Sequence, residues 1–224
     1  MSDAAASPSS ATSTSSTTST APPVRKRPKP GERRVQVLQA LAAMLEQPGA
    51  ERITTAALAA RLDVSEAALY RHFASKAQMF EGLIDFIEQS VFSLINQIVE
   101  RETAADAQDP TAGTRQAARV VMLLVQFAEK NPGMARVMVG DALVFEHERL
   151  QQRMNQFFDK VEAALKQSLR ASAGLSGSST PSVDAQLKAS ILTAFIAGRL
   201  QRFVRSGFRR LPSEQLEASL SHLL

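Results

Sequence analysis

Between Thr54 and Lys76 two short helical runs, TTAALAARL and EAALYRHF, are joined only through Asp63-Val64-Ser65. A joint this short forces the helices to cross and to share one apolar seam. Leu58, Ala59, Leu62, Val64 and Leu69 occupy that seam, with the small Ala59 where the second helix passes close. The turn position, usually glycine because its backbone is left-handed, is Asp63, which tolerates the conformation better than most residues. Ser65 stands where an N-cap belongs. The second helix, expected over 66–73, turns Leu69 and Phe73 inward and Glu66, Ala67, Ala68, Arg71 and His72 outward. Ala67 and Ala68 leave the outer face almost bare, which lets a helix lie deep in a major groove and is not needed for packing.

Thr54, with Thr55 beside it, heads the first helix and offers a hydroxyl and unsatisfied backbone N–H groups to a phosphate. Tyr70 and Lys76 are suited to flank the groove from the other side, phenol and ammonium toward backbone oxygens. Singly, each has a plainer reading: Thr54 as an N-cap alone, Tyr70 as a core-edge aromatic, Lys76 as a solvated charge. Together, at these spacings, they read as a unit that binds duplex DNA.

The rest of the chain agrees with a helical protein. Of 224 residues, 44% are apolar, enough for one sizeable core or two modest ones. No sustained period-two alternation signals strands, so the expected fold class is all-α. Helices are expected over about 33–46, from Ser75 through Val99, over 115–130, over 146–171 and near 184–206. Shorter ones fall around 134–145 and 213–223. Asn131-Pro132-Gly133 stops the third of these helices and 102–114 is expected to be a loop. In the long helix from Ser75, Phe80, Leu83, Ile84, Ile87, Val91, Leu94, Ile95 and Ile98 form one inward stripe, Leu94 included. Phe86 lies about 100° off that stripe, on the shoulder of the helix, where it either marks a partner site or packs under a neighbour.

Charge is unevenly spread. Residues 1–34 carry Arg25, Lys26, Arg27, Lys29, Arg33 and Arg34 against Asp3 and Glu32, and the remainder is formally neutral. Such an arm beside a neutral body attracts phosphate through counterion release, although a solvated charge run has the same composition. Arg33 and Arg34, at its end, join the expected DNA-facing set. Of the first twenty residues 17 are Ser, Thr or Ala, so that stretch reads as a disordered tail. The absence of cysteine and of any apolar run near the ~18 residues that span a bilayer leads us to expect a cytoplasmic protein without disulfides or membrane contact.

The stretch RITTAALAARLDVSEAALYRHFASKAQMFEGLI, with its LYRHF followed by Lys76, resembles the DNA-binding domain of the TetR family. NPGMARVMVGDALVFEHERLQQRMNQFF and GRLQRFVRSGFRRLP are similar to the C-terminal half of the nucleoid-occlusion factors within that family. The two resemblances cover most of 33–212. They imply a TetR-like fold: a tail and arm over 1–32, a three-helix helix-turn-helix domain over 33–78, and a helical dimerisation and partner-binding domain over 79–224. They further imply a nucleoid-associated homodimer on palindromic double-stranded DNA, with several dimers per site where the site allows. The DNA-bound protein would contact the division protein FtsZ through Phe86, Lys130 and Asn131 and keep its ring from assembling over the chromosome. For the dimer interface the apolar rows Phe157, Val161, Leu165 and Ile191, Phe195, Leu200, Phe203 are candidates, with ordinary internal core as the alternative.

Two rival functions remain. A ligand-responsive repressor is the commonest use of a TetR-like fold, yet the core helices offer few polar groups to orient a small molecule. For an enzyme, His72, His147 and His222 lie too far apart for shared metal ligation, and no glycine-rich phosphate loop or nucleophile-base pair stands out. No metal and no cofactor are expected, and His147 between Glu146 and Glu148 reads as a solvated helix face.

Overall fold

The structure, a computed structural model, describes residues 31–47, 52–105 and 109–224. The Ser/Thr-rich tail and the cations Arg25, Lys26, Arg27 and Lys29 lie outside these residues. Helices follow one another as α1 (Glu32–Leu45), α2 (Thr55–Arg61), α3 (Glu66–Tyr70), α4 (Lys76–Ala105), α5 (Ala112–Lys130), α6 (Pro132–Met138), a 3-10 turn (Asp141–Leu143), α7 (Glu148–Leu175), α8 (Pro181–Arg205) and α9 (Leu216–Leu223). All regular structure among the described residues is helical.

Helix boundaries follow from local chemistry. Thr54 Oγ1 accepts from the N–H of Ala57, and Ser65 Oγ from that of Ala68, so α2 and α3, which with α1 form the head of the molecule, both begin on side-chain caps. Ser75 and Gln78 cap the start of α4 as a pair: Ser75 Oγ accepts from Gln78 N–H while Gln78 Oε1 accepts from Ala74 N–H. Pro132 and Pro181 open α6 and α8 at positions where a missing N–H costs nothing. His147 is the N-cap of α7, its Nδ1 accepting from Arg149 N–H, so it stands before the helix rather than on its face.

Packing is centred on α5. Val120, Val121, Leu124, Val125 and Ala128 are fully buried, and α4, α7 and α8 all pack against this helix. The start of α5 closes on α7 because Gly113 has no side chain: a Cβ there would stand 2.0 Å from the Ser168 carbonyl oxygen. In that close approach Gly113 N–H donates to Ser172 Oγ at 2.9 Å. A single cluster of buried apolar side chains runs from Val37 in α1 to Leu220 in α9, so head and body share one core.

Several expectations need correction. Helix α3 ends at Tyr70 and not at 73: the N–H groups of His72 and Phe73 both close on the Leu69 carbonyl, and beyond them Arg34 Nη1 on α1 donates to the His72 carbonyl. The 102–114 connection is shorter, since α4 continues to Ala105 and α5 starts at Ala112. Helix α7 begins at Glu148 and extends to Leu175, and α9 begins at Leu216. Leu94 is 40% exposed. Where α4 passes the body, its buried seam turns to Val91, Phe92 and Ile95, leaving Leu94 about 100° away around the helix.

The largest correction concerns the expected dimer face. Phe157, Val161 and Leu165 on α7, and Leu200 and Phe203 on α8, are buried within the single protomer. These two helices pack on each other more extensively than any other pair, and Phe157 also meets the Phe92 ring of α4 edge-on. Of the expected set, Ile191 is exposed and Phe195 half-buried. Ile191 belongs to a different row on α8, Val183, Leu187 and Ile191, at four-residue spacing and all exposed.

Candidate nucleic-acid interface

The helix-turn-helix is built as its spacing requires. Leu58, Ala59 and Leu69 are buried, and Leu62 and Val64 pack half-buried against them. Asp63 adopts φ +54°, the left-handed turn that sends the chain from α2 into α3. On the outer side Glu66, Ala67, Tyr70, Arg71 and His72 are exposed, and Ala68 is half-buried. Thr55 Oγ1 donates to Glu66 Oε2 at 2.6 Å, and Tyr70 Oη reaches Thr55 Oγ1 at 3.5 Å. This chain of hydroxyls and one carboxylate ties the outer edges of α2 and α3 together, so Thr54, Thr55 and Tyr70 stand on one edge of the bare α3 surface.

Two expected phosphate ligands also have partners within the protein. Arg34 stacks its guanidinium 4.2 Å from the centre of the buried Phe73 ring while donating to His72, which makes it a brace beneath α3. Lys76, the first residue of α4, donates to Glu146, whose side chain is only 10% exposed. Arg33 is half-buried on α1.

The head is held to the body along two lines that the sequence does not announce. At the first, Gly133 in α6 lies under the end of α1, where a Cβ would meet the Ala42 carbonyl oxygen at 2.0 Å. Beside it Arg136 Nη1 donates to the Gln47 carbonyl at 3.1 Å, and its guanidinium lies 5.3 Å from the Phe208 ring centre. At the second, Arg52 stacks 4.6 Å from the Phe145 ring centre next to the Lys76 and Glu146 pair. These partners are 70 to 93 residues apart in the chain, and no local pattern marks them.

The remaining expected residues lie in the body. Phe86 is 47% exposed on α4. Lys130 is exposed at the end of α5, and Asn131 is half-buried with its amide donating to the Phe127 carbonyl. Recesses of roughly 340–500 Å³ open on the surface around Arg199, around Met154 and around Ser172. Among the described residues no cluster of three metal-ligating side chains occurs, and no helix is long and apolar enough to cross a membrane.

Comparison with known proteins bears on what this interface serves. Residues 37–83 match the family described as "Bacterial regulatory proteins, tetR family", and residues 114–224 match the SlmA-like family described as "Tetracyclin repressor-like, C-terminal domain". The chain is 50% identical over 187 residues to the nucleoid occlusion factor SlmA of Vibrio cholerae, covering 83% of this chain and 90% of that one. It is 47% identical over 186 residues to SlmA of Idiomarina loihiensis, with coverage of 83% and 90%. The chain belongs to the SlmA family. Solved structures similar to this SlmA-family chain include the fatty acid degradation regulator FadR of Bacillus halodurans (TM-score 0.68, 14% identity, 86% and 95% of the two chains). FadR of Bacillus subtilis, solved in complex with stearoyl-CoA, has a TM-score of 0.65 at 15% identity over 84% and 96%. At that identity the likeness establishes the TetR-like fold alone. Nucleoid occlusion is the role named for the SlmA relatives themselves.

Proposed function

We propose that this chain is a sequence-specific DNA-binding nucleoid occlusion factor that, when bound to the chromosome, engages FtsZ and blocks assembly of the division ring there. One observation carries the reading: an exposed, nearly bare α3 surface flanked by Thr54, Thr55 and Tyr70, on a chain 50% identical to SlmA of Vibrio cholerae. Small side chains at the contact let base edges and groove shape come close, while hydroxyls at the rim meet phosphates. Thr54, Thr55, Ser65, Glu66, Ala67, Ala68, Tyr70, Arg71 and His72 form the proposed contact surface, with Arg33, Arg34 and Lys76 at its margin. The basic arm ahead of α1 adds sequence-independent attraction.

The active form is a homodimer on a palindromic duplex, paired through the exposed α8 row of Val183, Leu187 and Ile191. Three aliphatic side chains facing water at four-residue spacing form the kind of surface a helical partner covers. The FtsZ-binding surface includes Phe86, an exposed aromatic on a surface helix, together with Lys130 and Asn131. The protein acts in the cytoplasm, at the nucleoid.

The alternative, a repressor answering to a small molecule in its core, has less support: the neighbour solved with stearoyl-CoA shares only 15% identity with this chain. Sedimentation of FtsZ polymers with the protein, alone and with its cognate duplex, tests the proposal. The expected result is fewer pelleted polymers with the protein, and fewer still when duplex is added. Polymer mass that is indifferent to the protein under both conditions overturns it.

A further inference from the structure

A surface suited to lie among phosphates carries a carboxylate at its leading end. Glu66 is the first residue of α3 and is exposed. Among the described residues no cation pairs with it. Its side chain is held by the Thr55 hydroxyl, which donates to Oε2 at 2.6 Å, while Tyr70 Oη donates toward Thr55 Oγ1 at 3.5 Å. Each hydroxyl hands its hydrogen on, so the relay starts at Tyr70 and ends on the carboxylate. The other oxygen, Oε1, has no hydrogen-bond partner among the described residues.

Neighbouring positions narrow what Glu66 can do. In a helix-turn-helix the first residues of the second helix meet base edges, and the flanks meet phosphates. Ser65 spends its oxygen as the α3 cap, and Ala67 and Ala68 have no polar side-chain atom, so Glu66 is the strongest acceptor on the leading turn. Phosphates repel a carboxylate whatever the sequence, and only a donor on a base offsets that cost. Two bases offer an amino group in the major groove, cytosine through N4 and adenine through N6. Beside the adenine amino group stands N7, an acceptor that repels a carboxylate, whereas cytosine presents its amino group without such a neighbour.

We propose that Glu66 is a specificity-determining residue: its carboxylate accepts from the N4 amino group of one cytosine in each half-site, and Thr55 is the positioning residue that aims it. The inference rests on the DNA-binding reading above. Selectivity here comes from a penalty, because Glu66 weakens binding to every duplex and weakens it least where the cytosine is present.

Selection followed by titration tests this. The parent chain and Glu66→Gln each select palindromic duplexes from a random-sequence pool, with folding followed by circular dichroism. The parent pool is expected to hold a cytosine at one symmetry-related position per half-site. At that position the Glu66→Gln pool is expected to turn to adenine, whose N6 and N7 a carboxamide meets together. Relaxation there to no preference supports the inference as well. Fluorescence anisotropy then compares the four base pairs at that position. The parent should favour cytosine by about tenfold or more, and Glu66→Ala should bind all four alike. On a duplex of unrelated sequence Glu66→Ala should bind more tightly than the parent, because a like charge has left the groove. Thr55→Val, which keeps the branched shape without the hydroxyl, should narrow the preference for cytosine. A uniform loss across the four duplexes would instead assign Thr55 to phosphate or packing and overturn its aiming role.

A Glu66→Gln pool that keeps the parent's consensus at every position would overturn the inference. So would a change confined to a position where the parent selects a base other than cytosine. Loss of affinity by one common factor on all duplexes in Glu66→Ala would overturn it too, since that marks a residue that only packs α3 on α2. Should Glu66→Ala not fold, the Glu66→Gln pool decides, because a carboxamide still accepts from Thr55. A folded parent that selects no duplex would overturn the DNA-binding reading and this inference together, whereas failure of the base contact alone is seen against an intact parent.

Discussion

Ala67 is exposed while Leu69, two residues on, is fully buried. A substitution at 67 therefore separates binding from folding. Ala67→Glu should leave the melting temperature nearly unchanged, since exposed substitutions away from caps and turns stay within about 0.5 kcal/mol. The same carboxylate, carried into a groove lined with phosphates, should weaken specific DNA binding at least about tenfold in an anisotropy titration. Thr54→Ala differs in kind because Thr54 Oγ1 caps α2. It should lower stability by about 1 kcal/mol as well as affinity, and a denaturant midpoint measured beside the titration separates the two losses.

Asp109, ahead of α5, gives a pH-dependent case. Hydrogen bonds from Arg115 and Thr111 hold its carboxyl at about 2, against 3.8 ordinarily. Because the folded chain binds that proton less tightly than the unfolded one, the contribution to stability is complete above pH 3.8 and fades as pH falls through about 2. Thermal melts should find Asp109→Asn less stable than the parent at neutral pH and equal to it at the acid end of that window. The caps at Thr54 and Ser65 and the left-handed Asp63 were legible from residue type alone, because a cap or a tight turn is decided within three or four residues. Glu146 and Arg136 were not, because what makes each of them matter is a partner at least 70 positions away.

At the scale of elements, the contact of α6 with α1 depends on Gly133, where a Cβ would meet the Ala42 carbonyl at 2.0 Å. Gly133→Ala must push the two helices apart, and overpacking of this kind costs about 1–3 kcal/mol. The variant is expected to melt earlier and to bind DNA less well. Hydrogen exchange should locate the loosening at the end of α1 and across α6. A loss of protection confined to α8 and α9 would contradict this account. The elements themselves followed from apolar spacing to within a few residues, and their ends failed where another element supplied the stop. Helix α3 closes at Tyr70, and the His72 carbonyl beyond it is met by Arg34, 38 residues back. The stripe on α4 misjudged Leu94 because periodicity describes one helix, while the seam turns with whichever neighbours arrive beside it.

For the whole molecule, the apolar rows on α7 and α8 illustrate what sequence leaves open. Amphipathicity identifies Phe157, Val161, Leu165, Leu200 and Phe203 as needing cover and says nothing of whether the cover comes from the same chain. Here it does. The row that remains outside, Val183, Leu187 and Ile191, makes a prediction of its own. Leu187→Asp, at 60% exposure, should leave the protomer folded by circular dichroism and shift it from dimer to monomer in analytical ultracentrifugation. Affinity for a palindrome should fall steeply while that for a single half-site changes little. Removal of residues 1–30 should flatten the salt dependence of binding and keep the preference between sequences, as read from paired titrations at low and physiological salt.

A chain that pairs through three aliphatic side chains answers steeply to its own abundance. When protomers are scarce, the number of joined pairs falls as the square of their concentration, so halving synthesis removes about three quarters of them. The short greasy band on α8 would thereby set a dosage threshold for any task that needs two heads at once.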